Sequence, residues 1–248
     1  MDWLSYNVVY IFIGFAMGGL LKGATGAGAP LVAIPLLSLF YSVPLAVTVF
    51  AMPNLTSNLW QSWKHKEDLL PYKFVFMFAL AGMVGAGIGT YMLASVPGNA
   101  LKLFTALAVF CYIGFRLAKP HWILSFAHAS KIVFPIGAIA GVLQGAVGIS
   151  APVSITFLNS MKLERRQFIA TISIFFLAMV FVQLPLMIYY GLMTKERFIL
   201  SCLAIVPLLA FMPVGAFLAR HISKETFDKV ILVVLGILAI RLAYEGFV

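Results

Sequence analysis

The chain has 248 residues, 62% of them hydrophobic and 10% charged, whereas soluble domains are roughly 45–50% apolar and about 25% charged. So little polar surface excludes a water-soluble globule and predicts an all-α polytopic membrane protein. The formal charge of +9 does not point to nucleic acid, because the seventeen Lys and Arg fall mostly in short stretches between apolar runs, where membrane topology puts them.

Met1-Asp2-Trp3 lacks a basic leader and no small-x-small cleavage pattern follows, so no removable signal peptide is expected. The first half is read as apolar segments at 4–21, 29–41, 45–63, 74–95 and 100–118. The second is read as segments at 132–147, 151–161, 167–192, 198–219 and 227–246. A full crossing needs about 20 residues, and the second segment of each half is too short. The opening pair of each half is therefore expected to be a broken or re-entrant helical hairpin, followed by three full spans. Broken backbone at membrane depth is tolerated only inside protein or beside a watery cavity. Cys111 and Cys202 lie within apolar runs and read as small buried hydrophobes.

The two halves are repeats. Gly19-Leu20-Leu21-Lys22-Gly23-Ala24-Thr25-Gly26-Ala27-Gly28-Ala29-Pro30 aligns with Gly141-Val142-Leu143-Gln144-Gly145-Ala146-Val147-Gly148-Ile149-Ser150-Ala151-Pro152 at an offset of 122 residues (141 − 19). At the same offset Gln61 meets Gln183. The expected units are a first transmembrane repeat at 1–120, a cytoplasmic linker at 121–131 and a second repeat at 132–248. Five segments per repeat is an odd number, so the halves are predicted to be inverted, a plan suited to alternating access. The basic loops at 64–73, 116–131, 162–166 and 220–229 would then share one side. They hold twelve of the seventeen cations: Lys64, Lys66, Lys73, Arg116, Lys119, Lys131, Lys162, Arg165, Arg166, Arg220, Lys224 and Lys229. This bias makes their side cytoplasmic and both termini extracytoplasmic.

Lys22 is the one cation far from any predicted loop. On insertion scales a membrane-buried Lys costs about 2.5–3.5 kcal/mol, so it marks a functional candidate. Two readings stand: Lys22 supplies positive charge to an anion, or it snorkels from a helix end to the head groups. Its counterpart Gln144 is uncharged, which makes any site asymmetric. Gly23, Gly26, Gly28, Gly145 and Gly148, with Thr25 and Ser150 between them, either admit close approach of an anion to helix N-termini near Pro30 and Pro152 or only let helices pack closely. Asn54, Asn58 and Gln61 share a helical face. They and Gln183 either line a polar pathway, with the two glutamines facing it from opposite halves, or hydrogen-bond neighbouring helices. Trp60 and Trp63 read as an interface belt. All eight acids lie at termini or loops, which leaves no carboxylate at midmembrane to carry a proton or hold a cation. No cluster of metal ligands and no nucleophile–base pair stands out, so neither an enzyme nor a metal or other cofactor is expected.

The Gly-rich, Pro-ended motif at 19–30, its copy at 141–152 and the span and basic loop at 45–73 resemble the TauE/SafE family of sulfite exporters and sulfonate permeases. The resemblance covers essentially the whole chain. It implies a multi-pass protein of the bacterial inner membrane that transports a small anion such as sulfite or an organosulfonate, with both glycine motifs near the path. The expected partners are that anion and the lipid bilayer, with no nucleic acid, and a homodimer is left open. A passive anion channel and a non-transporting scaffold are the competing classes, the first kept open by the missing membrane carboxylates.

Overall fold

A computed structural model describes residues 8–118, 122–221 and 224–247. Residues 4–7, Asp2, Lys119 and His121, and the side chains of Lys224, Glu225 and Asp228, lie outside the described residues. Ten α-helices follow in order: α1 (Val8–Thr25), α2 (Ala29–Phe40), α3 (Val43–Lys64), α4 (Tyr72–Ser95), α5 (Gly98–Ala118), α6 (Phe126–Val147), α7 (Ala151–Ser160), α8 (Arg165–Tyr189), α9 (Lys195–His221) and α10 (Lys224–Phe247). Each half thus runs long, short, long, long, long.

The opening helices differ from expectation in their bounds. α1 passes through Lys22 and Gly23 to Thr25, and α6 starts at Phe126, capped by Ser125, whose hydroxyl accepts from His128 N–H at 3.4 Å. Both are long and apolar enough to cross a membrane, as are α4, α5, α8, α9 and residues 229–247 of α10. The first break comes later than expected and the second where expected: Gly26 (φ 86°), Gly28 (φ 91°) and Gly148 (φ 71°) adopt left-handed backbone that ends a helix. The helices that follow, α2 and α7, have 12 and 10 residues, reaching about 18 and 15 Å, so they stop short of a crossing. At 22 residues α3 is long enough to cross, yet it buries Asn54, Ser57, Asn58, Gln61 and Ser62.

Packing interleaves the two halves. α4 lies against α6 and α8, and α9 lies against α1 and α3. α3 touches α8 at the centre, α5 pairs with α10, α2 meets α10, and α5 meets α7. The two most extensive crossings are built on glycine. A Cβ on Gly23 would stand 1.9 Å from the Met212 carbonyl oxygen, and one on Gly215 would stand 2.0 Å from that of Leu20. At the other crossing, Cβ atoms on Gly85, Gly141 and Gly145 would stand 2.1–2.4 Å from carbonyls of the facing helix. Without a difference in polarity between lipid and side chain, such close van der Waals packing is what holds membrane helices together.

Phe78 stacks on Phe175 at 3.8 Å, in a core with Phe74, Phe157 and Phe176. The outer face is apolar, with Val206 65%, Ile237 63% and Phe217 60% exposed, as lipid contact requires. Cys111 is exposed there and Cys202 partly so, which corrects the expectation that both are buried in protein: an apolar run in a membrane helix faces lipid as readily as core.

Candidate functional site

Lys22 lies in the last turn of α1 and is 2% exposed. Its Nζ donates to Asn58 Oδ1 at 2.7 Å. Asn58 is held in that orientation because its amide nitrogen donates to the carbonyl oxygen of Asn54 at 2.8 Å and to Asn54 Oδ1 at 2.6 Å. The stripe spaced along α3 therefore meets the cation on α1 as one hydrogen-bonded chain. Asn58 stands six residues before the end of α3, or about 9 Å along its axis. An ammonium has three donors. Among the described residues Lys22 uses one of them, and no carboxylate pairs with it. A buried cation without a counter-ion is costly, and here the remaining donor capacity is suited to an anion.

The other expected residues fall into separate groups. Gln61 donates to the Gly26 carbonyl at 3.1 Å and accepts from Ser173 of α8 at 3.3 Å. Gln183 donates to the carbonyls of Gln144 and Gly145 at 3.2 and 3.5 Å. Each glutamine thus secures the end of the opening helix in its own half. Gln144 is buried and its Oε1 has no partner, so at the position matching Lys22 a second polar group has spare capacity. Thr25 spends its hydroxyl on the Leu21 carbonyl at 2.8 Å and on that of Ala27. Ser150 is buried, and its carbonyl accepts from the Ser154 hydroxyl at 3.0 Å. Gly23 and Gly145 sit at the helix crossings described above. Gly26 and Gly148 pack across the halves, with hypothetical Cβ atoms 2.5 Å from Ile169 and 2.2 Å from Ile34, while Gly28 precedes α2. No hydrogen bond among the described residues links the Lys22 group to the Gln144 group.

The family model described as Sulfite exporter TauE/SafE matches residues 10–242. The chain belongs to the TauE/SafE family. No curated protein and no solved structure matches it. With seven helices among the described residues long and apolar enough to cross, this TauE/SafE protein is a multi-pass membrane protein of an anion-transport family, not of an enzyme family. Among the described residues no group of His, Cys, Asp and Glu could hold a metal ion.

Sequence reasoning missed two contributors to this TauE/SafE site. Arg165 opens α8 and donates to the carbonyls of Ala24 and Gly23 at 3.0 and 3.3 Å, which satisfies acceptors left free at the C-terminus of α1. In the sequence it is one more cation in a basic loop. Ser173 sits in an apolar stretch, and no local pattern signals that it meets Gln61 112 residues away.

Proposed function

We propose that this TauE/SafE protein is a secondary transporter of a small oxyanion of the sulfite or organosulfonate class, bound at Lys22 and moved by alternating access between two inverted halves in a bacterial inner membrane. The observation that carries the reading is the buried ammonium of Lys22, held by Asn58 and lacking a carboxylate partner among the described residues. Asn58 fixes the direction of the ammonium, leaving two N–H donors for the oxygens of an anion. The family assignment supports the sulfur-oxyanion class, and the break at Gly26–Gly28 supplies backbone that can bend. Because α4 packs on α6 and α8 while α9 packs on α1 and α3, the units that would rock are mixed bundles, α4 with α6 and α8 against α9 with α1, rather than the two halves of the sequence.

The test is sulfite binding to purified wild type, Lys22→Met and Lys22→Arg. A ligand at 100 times its Kd raises folded-state stability by about 2.7 kcal/mol. Sulfite should therefore raise the melting temperature of the wild type clearly more than that of Lys22→Met, with Lys22→Arg between them because a planar fork replaces a point charge. Equal stabilisation of Lys22→Met would place the anion elsewhere. Concentrative uptake into proteoliposomes under an imposed gradient is expected, and flux that only equilibrates would instead indicate a channel.

A further inference from the structure

A cavity of about 360 Å³ opens where α3 and α9 end and α8 begins, lined by Lys64, His65, Arg165, Arg166 and Arg220, with Ile169 and Ala216. No carboxylate lines it. The cations come from three basic loops far apart in the chain, and folding gathers them round one space. A second cavity of about 380 Å³ lies at the start of α3, beside Ser42, Val43, Asn99 and Lys102. The 22 residues of α3 set the two mouths about 33 Å apart. The second mouth carries a single cation, and Lys102 is already paired with Glu245 at 2.9 Å. The charge is concentrated at one end of the molecule.

The basic cavity adjoins the Lys22 region. Its Ile169 side chain rests on Gly26, and its Arg165 reaches the Gly23 and Ala24 carbonyls, next in sequence to Lys22. Arg166 and Arg220 have no carboxylate partner among the described residues. Guanidinium groups suit the oxygens of phosphate- and sulfate-like groups through paired N–H donors, and a mouth of one sign raises the local concentration of the opposite ion.

We infer that this cavity is a second anion-binding site, which takes a sulfate- or phosphate-like oxyanion independently of Lys22. Its role as an antechamber rests on the transport reading; its binding does not. The site depends on Arg166 and Arg220, and its affinity falls steeply with salt because the groups are exposed to solvent.

The test uses the full chain in nanodiscs of phosphatidylcholine, with sodium sulfate as the probe and calorimetry as the readout. The Lys22→Met variant should still bind sulfate. Adding Arg166→Gln and Arg220→Gln should weaken that binding by at least about tenfold, and Arg166→Lys with Arg220→Lys should restore part of it. In the Lys22 background, Arg166→Gln with Arg220→Gln should leave the sulfite stabilisation that depends on Lys22. Failure of the transport reading and failure of the cavity are thereby separated. A headgroup source has its own signature: phosphatidylglycerol retained in stoichiometric amount through exchange into neutral lipid, lost with the two Arg→Gln changes. That outcome supports the oxyanion site and assigns it to lipid. If Lys22→Met binds no sulfate and retains no lipid in a manner that depends on Arg166 and Arg220, the inference is overturned.

Discussion

A single substitution can turn Lys22 from an anion site into a closed ion pair. Asn58→Asp would set a carboxylate oxygen where Oδ1 now stands, 2.7 Å from Nζ. The ammonium would gain an internal counter-ion, so sulfite should lose the stabilising effect that depends on Lys22, while the empty protein loses the two hydrogen bonds that the Asn58 amide nitrogen donates to Asn54. Sulfite stabilisation of Asn58→Asp equal to that of the wild type would contradict the role given to Lys22. The glycines separate by what faces them. Gly23→Ala forces a methyl into the Met212 carbonyl, and since backbone cannot swing aside the cost is expected to exceed the roughly 1–3 kcal/mol of ordinary overpacking. Gly114, on α5, has nothing within 4 Å, so Gly114→Ala should stabilise by about 0.5–1 kcal/mol. Thermal melts of the two variants in one detergent compare them directly. At this scale the sequence showed that Lys22 was unusual and that Asn54 and Asn58 shared a face, since both follow from counting along a helix. It could not show that the partner of the cation is Asn58, because their contact joins positions 36 residues apart.

α3 is the element on which the site is mounted, and proline shapes it. Pro53 lies inside the helix and has no N–H to give. Next to it the Met52 N–H donates at 2.9 Å to Ser201 Oγ of α9, 149 residues away. Neighbouring hydroxyls can satisfy backbone that proline disturbs in a membrane helix. Ser201→Ala should remove the hydroxyl acceptor from this part-buried N–H and cost about 1 kcal/mol, read as a lowered melting temperature. Ser201→Thr, which keeps the hydroxyl, should cost less; equal losses would show that shape, not the hydrogen bond, matters there. Helix order and approximate boundaries were legible, because apolar runs and glycine–proline breaks are local signals. Where α1 ends was not. Gly23 looks like a breaker beside Lys22, but its small size lets α1 and α9 touch, and the helix stops only where positive φ is required at Gly26.

For the whole molecule, an inverted arrangement of the halves, as proposed, would set Asn99 and Arg220, at opposite mouths, on opposite sides of the membrane. With Cys111 and Cys202 replaced by Ser, Asn99→Cys should react with an impermeant maleimide from outside intact cells and Arg220→Cys only after permeabilisation. Reporter fusions near Met1 and Val248 should both read as extracytoplasmic; a cytoplasmic reading at either end would break the five-plus-five plan. The repeat was visible in the sequence, but the exchange of partners between the halves was not, since a repeat says what is alike and not what touches. That exchange has a consequence during synthesis. α1 ends at Thr25 and its partner α9 begins at Lys195, so 169 residues (195 − 25 − 1) must be made between them. At about 5–20 residues per second, α1 waits roughly ten to thirty seconds beside lipid or the insertion machinery, with its glycine face bare and its lysine without Asn58 until α3 emerges. The glycine seam between α1 and α9 can therefore close only late in synthesis, and until then the close-packing face of α1 has no α9 to cover it.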